Sequence, residues 1–331
     1  MTRGQLVVHL DQRESSLSVQ SGVLHLRDAK GRRQALPLLE IALVVVDGSA
    51  STDTHTLRSL ADAGIALVAI GGRQRQSAAW VGPGLSNGVR LRHAQHLAYA
   101  DPARRLRLAR LTVAAKLEAQ MAVANLTFPD REAPLALRAI ATRLPLCTNV
   151  AQLMGCEGAA AAAWFADLGG QIPSIWGFSG RARRPPPCPA NAMLSYLYAV
   201  ATSEAHQAVH TSGLDPGIGF VHDIYPGRAA MTLDVVEVAR AGVDAIVLAL
   251  LGSGDLSPAD FAASKDGCLM KKSARNVLMR NYANARIDWP GSDGRSLASV
   301  LRTHLRRLAG EIDADACREP GAQEPLDDAD A

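Results

Sequence analysis

At 331 residues, 48% apolar and 20% charged, the chain is long enough for two domains with a sizeable core, and its composition excludes a fibrous or wholly disordered class. No apolar run reaches the roughly 18 residues of a membrane span, and no basic segment leading into a hydrophobic stretch opens the chain, so a cytoplasmic protein without membrane contact is expected. The net charge of +3 is unevenly placed: eight acids against Arg318 give residues 311–331 a net −7 and leave +10 on residues 1–310, and so basic a body predicts an anionic partner, nucleic acid first.

Residues 1–84 read as a small β-rich domain. Runs of Val, Ile and Leu at 6–10, 16–19, 23–26, 42–46 and 65–70 are separated by Gly, Asp or charged turn signals. Between the last two, Asp53 to Ala63 carries Leu57 and Leu60 at helical spacing and stops at Gly64. Gly71-Gly72-Arg73 is expected to be a hairpin tip, and no glycine fingerprint of a nucleotide site follows any strand. Gly82-Pro83-Gly84 marks the expected domain boundary.

Beyond it the helical period dominates, so residues 85–310 are expected to form a larger all-α domain and the fold class to be α+β. Segment 90–125 interleaves Leu91, Leu97, Leu106, Leu108, Leu111, Val113, Leu117, Met121 and Val123 with Arg90, Arg92, Arg104, Arg105, Arg107, Arg110 and Lys116. That is an amphipathic pair of helices broken near Asp101-Pro102, its basic residues read chiefly as a solvated face. In the next helix, Leu153, Ala160, Ala161, Trp164, Phe165 and Leu168 define a face to be buried, and Glu157 lies on that face. A carboxylate turned toward a core needs an arginine partner, a proton or a metal ion.

Residues 177–187, Gly-Phe-Ser-Gly-Arg-Ala-Arg-Arg-Pro-Pro-Pro, cannot build a core and instead suit laying Arg181, Arg183 and Arg184 along a phosphate backbone. A helix then runs from Pro189 to a Gly213 stop; His206 and His210 on it fall opposite its apolar face and are assigned to solvent. Next, His222 stands in a turn-rich loop, and Asp234 and Glu237 follow the Pro226-Gly227 break in what reads as the first turn of a helix. Imidazole and carboxylate can meet there around Mn²⁺ or Mg²⁺. Asp234-x-x-Glu237 before an apolar run is equally a helix-capping pattern. Farther on, 243–251 reads as a core helix, Lys271-Lys272-Ser273-Ala274-Arg275 as the start of a basic helix and 297–308 as amphipathic, while the acidic segment 311–331 reads as a disordered tail. Cys147, Cys156, Cys188, Cys268 and Cys317 are odd in number and include no C-x-x-C, which indicates reduced thiols.

Several of these segments together carry a family likeness: Leu153-Met154-Gly155-Cys156-Glu157-Gly158; Phe178-x-x-Arg181-x-x-Arg184-Pro185-Pro186; Pro189-Ala190-Asn191-Ala192-Met193-Leu194-Ser195-Tyr196; Gly213-Leu214-Asp215-Pro216-Gly217-Ile218-Gly219-Phe220-Val221-His222; and Leu233-Asp234-Val235-Val236-Glu237-x-x-Arg240. With the order of Arg90, Gln95, Asp101 and Lys116, the chain resembles the CRISPR-associated adaptation endonuclease/integrase family over about residues 5–280. The resemblance implies an N-terminal β domain that dimerises and a helical catalytic domain holding Mg²⁺ or Mn²⁺ between Glu157, His222 and Asp234. It further implies insertion of foreign DNA into a repeat array by 3′-hydroxyl attack on a phosphodiester, alongside a small ferredoxin-like adaptation partner. On this reading Glu237 orients a ligand or water, and Arg181, Arg184, Arg240, Lys271 and Lys272 contact double-stranded DNA. Cys188, Ala230 and Ala241 depart from the family pattern; the first two bear on support for the ligands. A catalytically weak DNA-binding scaffold and a transposon-type integrase outside a CRISPR system are the rival readings.

Overall fold

The computed structural model describes residues 6–11, 14–28, 30–47, 49–70, 78–82, 88–128, 130–182, 185–265 and 267–316. The N-terminal part contains β1 (Leu6–Leu10), β2 (Ser15–Gln20), β3 (Val23–Arg27), β4 (Arg33–Pro37), β5 (Ile41–Asp47), β6 (Ala50–Ser51), helix α1 (Thr54–Asp62), β7 (Ala66–Ile70) and β8 (Ala78–Val81). They form two four-stranded sheets, ordered β1-β5-β7-β8 and β4-β3-β2-β6. In the first, β1, β5 and β7 run parallel and β8 antiparallel.

Alternation along a strand sends successive side chains to opposite faces, and β5 uses both. Val44 and Val46 pack with Leu17, Val19 and Leu24 of the second sheet and Leu60 of α1, whereas Leu43 and Val45, with Ala66 and Val68 of β7, join the core of the helical body. The first sheet is therefore the layer through which the two parts meet.

The helical body comprises α2 (Val89–Ala100), α3 (Pro102–Thr127), α4 (Ala133–Ala141), α5 (Val150–Gln171), α6 (Pro189–Ser212), α7 (Ala230–Ser253), α8 (Lys272–Ala285) and α9 (Leu297–Ala316), with a hairpin of β9 (Phe261–Ser264) and β10 (Gly267–Met270) before α8. The break between α2 and α3 falls at Asp101, whose carboxylate caps α3 by accepting from the backbone N–H groups of Ala103 (2.8 Å) and Arg104 (3.1 Å), with Pro102 in the first turn. Helix α7 is the centre of the body, packed on α3, α6, α8 and α9. Most of its residues are buried, Asp234, Glu237 and Asp244 among them, so each of these acids needs a partner inside the protein. No helix among the described residues is long and apolar enough to cross a membrane.

Several sequence expectations change. The larger part is helical except for the β9–β10 hairpin, and β4, β6 and β8 add strands that their polar or very short sequences conceal. The acidic segment is helical through Ala316, continuing α9, and Ile312 is buried; residues 317–331, including Cys317, lie outside the described residues, as do 71–77, 83–87 and Arg184. Helix α7 starts at Ala230, which puts Asp234 and Glu237 inside it rather than at a cap. His206 and His210 are not on a solvated face: Trp80 of β8 stacks on the His210 ring at 4.8 Å and meets His206 edge-on, and the two Nε2 atoms lie 3.1 Å apart. The side of α6 opposite its own apolar stripe is covered by the first sheet.

Candidate active site

The loop from Gly213 to Ala229, between α6 and α7, presents His222. Gly213, at φ 86°, closes α6 in the left-handed conformation open to glycine. At Gly219 a Cβ would come within 2.7 Å of the Ala230 backbone, so the loop lies directly on the start of α7. Two residues of the preceding helices clamp it. Gln95, fully buried on α2, donates to the carbonyls of Asp215 (3.0 Å) and Ile218 (2.7 Å) and accepts from the Asp215 N–H (2.8 Å). Arg105 of α3 donates to the Phe220 carbonyl (3.1 Å) and to Asp223 (2.5 Å).

Asp234 holds the loop from the other side. Its Oδ2 accepts from the N–H groups of Phe220 (2.5 Å) and Val221 (3.0 Å); its Oδ1 accepts from the His222 N–H (3.0 Å) and lies 2.7 Å from His222 Nδ1. The side chain is 0% exposed, and four bonds use the in-plane capacity of both oxygens. A carboxylate only accepts, so the ring proton sits on Nδ1 and Nε2 is the basic nitrogen. This is the arrangement in which a carboxylate orients a ligating histidine from behind.

Glu237 lies three residues along α7 and faces a different neighbour. Lys116 of α3 donates to Glu157 Oε1 of α5 in a very short contact, and its ammonium lies 2.7 Å from Glu237 Oε2, off the hydrogen-bond direction, so the second contact is ionic. Arg240 Nε approaches Glu237 Oε1 at 2.9 Å. Burial pushes the Glu237 carboxyl up, but Arg240, Lys116 and His222 together outweigh it and hold it below the ordinary glutamate range. Burial likewise pulls Lys116 down, and Glu237 and Glu157 reverse this and hold its ammonium above the ordinary lysine value. Glu157 is a quarter to a third exposed, at the edge of the buried face of α5 rather than within the core.

Behind Glu237 the polar chain continues. Arg240 and Arg181 both lie over the Tyr198 ring, at 5.1 and 5.2 Å. Tyr198 donates to Asp244, a second buried acid of α7, which also accepts from Trp164 Nε1 at 2.8 Å. Burial raises the Asp244 pKa to about 6, against the opposing pull of the Tyr198 and Trp164 hydrogen bonds.

The structure thus brings Glu157 together with Glu237, and His222 together with Asp234. Among the described residues no three His, Cys, Asp or Glu side chains are gathered closely enough to enclose a metal ion as they stand. Glu157 and Glu237 nevertheless meet at a positive charge, with His222 near enough to act on Glu237. Two carboxylates that share one cation are oxygen donors of the kind that hold a hard divalent ion such as Mg²⁺ or Mn²⁺.

Of the expected DNA contacts, Arg181 gives donors to Asn191 (2.9 Å), Ser195 (3.1 Å) and the Ala182 carbonyl (2.7 Å), and Arg240 is paired with Glu237. Lys271 is exposed, and Lys272 lies 3.5 Å from Asp11. Lys116, Gln95 and Arg105 carry the site without having been singled out for it. The signal for Lys116 is its place in the buried stripe Ala109, Thr112, Val113, Lys116, Leu117, Gln120 of α3.

Comparison with known proteins follows the same lines. The family model of CRISPR associated protein Cas1 matches residues 8–284. A CRISPR-associated endonuclease Cas1 of Rhodospirillum rubrum is 33% identical over 312 residues, covering 86% of this chain and 89% of that protein. A Cas4/Cas1 exonuclease–endonuclease fusion of the same organism is 31% identical over 315 residues, 87% of this chain, which spans about half (52%) of the fusion. Among solved structures, a casposase bound to integration product superposes with a TM-score of 0.81 at 20% identity, covering 93% of this chain and 91% of that one.

Proposed function

Because the chain belongs to the CRISPR associated protein Cas1 family, we propose that it is a divalent-metal-dependent DNA endonuclease and integrase that inserts DNA fragments as spacers into a CRISPR array. The observation that carries the reading is the convergence of Glu157 and Glu237, from separate helices, on one cation. We assign Glu157, His222 and Glu237 as the residues that would hold Mg²⁺ or Mn²⁺, and Asp234 as the residue that orients His222; the roles of Asp234 and Glu237 are thereby exchanged relative to the sequence expectation.

A divalent ion bound there supplies Lewis-acid activation of the scissile phosphate and of the attacking oxygen. The protein does the positioning. Asp234 keeps the proton of His222 on Nδ1 and its Nε2 basic. Arg240 neutralises Glu237 from the side away from Lys116. Gln95 and Arg105 fix the loop that carries His222. The nucleophile is a DNA 3′-hydroxyl in strand transfer or water in cleavage, and no side chain needs to become covalently attached. Lys271 and Lys272, with Arg184, are the proposed phosphate contacts on double-stranded DNA. Arg181 and Arg240 act on the site through Tyr198 and Glu237. A homodimer joined through the N-terminal sheets and a small ferredoxin-like adaptation partner complete the proposed assembly.

The test uses purified protein with a branched DNA substrate. Cleavage and strand transfer should appear with Mn²⁺ or Mg²⁺, stop on chelation, and be lost in Glu157→Gln while salt-sensitive DNA binding persists. A wild-type protein that binds DNA yet is inert with both ions is instead the scaffold.

A further inference from the structure

We propose that Lys116 is a built-in counter-cation: its ammonium occupies the meeting point of Glu157 and Glu237 in the metal-free protein, and a divalent ion enters that point by displacing it. The inference rests on the assignment of the two glutamates as metal ligands.

Three features of the structure carry it. The Lys116 side chain is 8% exposed and crosses from α3 to reach carboxylates on α5 and α7, so it links three helices at a single charge. Lysine is rarely so buried unless paired, and here the pairing is with two acids. Without a cation the two acids would face each other across a partly dehydrated gap and repel.

The second feature is distance. The ammonium is 2.7 Å from Glu237 Oε2 and closer still to Glu157 Oε1. Mg²⁺ or Mn²⁺ would need those same oxygens at about 2.1 Å, which puts metal and nitrogen within roughly 3–4 Å of each other, where two cations repel strongly. The two occupants exclude one another.

The third is mobility of the head group. A lysine amine sits on a flexible four-carbon stem and can swing away, whereas Arg240, stacked over Tyr198 and held at Glu237 Oε1, is fixed by its surroundings. Lys116 is the cation of the pair that can leave. Until it leaves, it holds the two carboxylates at one point, open to the incoming ion.

Calorimetric titration of the full chain with Mn²⁺, without DNA, tests this in wild type and Lys116→Met, with melting temperatures recorded in EDTA and in Mn²⁺. Lys116→Met should bind Mn²⁺ at least about tenfold more tightly, since a competing charge is gone. It should also melt lower than wild type in EDTA and gain more from Mn²⁺. A second measurement needs no variant: in ¹⁵N-lysine protein, the sheltered Lys116 ammonium resonance seen in EDTA should shift or vanish on adding Mg²⁺. Equal or weaker Mn²⁺ binding by Lys116→Met, or an unmoved resonance on saturation with Mg²⁺, overturns displacement and leaves the metal assignment standing. Absence of any Mn²⁺ binding in both proteins overturns the metal assignment and this inference with it.

Discussion

Exchanging the roles of Asp234 and Glu237 makes a prediction that separates a ligand from its support. In Asp234→Asn one of the two oxygens becomes an amide N–H₂. If that end takes the Oδ1 position, it faces the His222 N–H, which is orphaned, and donates to Nδ1 of the ring, which drives the ring proton to Nε2. Orphaning one buried N–H costs about 1–3 kcal/mol. Replacing charge-assisted bonds to Phe220 and Val221 by neutral ones adds roughly another 1 kcal/mol, so a loss of about 2–4 kcal/mol is expected. Asp234→Ala strands all three backbone donors and should cost more. Glu237→Gln strands no backbone donor, but it leaves Lys116 and Arg240 facing one carboxylate where there were two, so a loss of several kcal/mol is expected, and its Mn²⁺ affinity should collapse. Urea unfolding in EDTA reads the first quantity and Mn²⁺ calorimetry the second. Asp234→Asn unfolding at the wild-type midpoint while losing Mn²⁺, together with Glu237→Gln binding Mn²⁺ normally, would refute the assignment and restore Asp234 as the ligand.

Three further outcomes follow from buried groups elsewhere. His304, 5% exposed with neither ring nitrogen hydrogen-bonded, has its pKa lowered to about 4 by burial and by Arg307; because the unfolded chain takes up the proton near pH 6.5, keeping it neutral carries no protonation cost above that pH, and stability is lost as pH falls from about 6.5 toward 4. His304→Leu should therefore raise the urea midpoint at pH 5, by on the order of 2 kcal/mol more than at pH 8. Glu204 accepts from Arg286 at 2.7–2.9 Å and from Tyr282 at 2.8 Å, and Glu204→Ala, which removes the carboxylate facing a buried guanidinium, should cost about 3–5 kcal/mol by chemical denaturation. Gly242→Ala would place a Cβ 2.3 Å from Trp289 Nε1, and the overpacking should cost about 1–3 kcal/mol, read as a lower melting temperature.

What the sequence disclosed depended on whether one element's pattern carried the information. Glu157 was visible because it falls at the period of an apolar helix face, and the α2–α3 break because Asp101-Pro102 both caps and interrupts. Asp234 and Glu237 could not be ranked, since residues three apart share a face; only the neighbours opposite, loop N–H groups for one and Lys116 for the other, tell them apart. His206 and His210 do lie off α6's own stripe, yet a helix covered on two sides has no solvated back. The β9–β10 hairpin left only the Asp266-Gly267 turn signal, its strands being four residues each. In α3 the interleaved basic residues read as one solvated face, yet Lys116 is buried and Arg105 and Arg110 reach backbone carbonyls of other elements, a distinction that register carries and composition does not.

Charge balance across the site explains why the arginines expected to grip DNA are turned inward. Glu157 and Glu237 bring two negative charges, and Lys116 and Arg240 bring two positive ones, so the metal-free cluster is neutral in a setting where an unmatched charge would cost several kcal/mol. Neutrality alone does not fix geometry, because a long guanidinium paired at one end can still swing. Tyr198 removes that freedom for Arg240, and its hydroxyl is in turn fixed on Asp244, which is held by Trp164. Arg181 lies over the same ring and is tied to α6 through Asn191 and Ser195. The two arginines are thus part of the frame that keeps Glu237 where Glu157 can meet it. Only Lys116 among these cations lacks such bracing, which is why exchange of a resident charge for an incoming one is confined to its side of the pair.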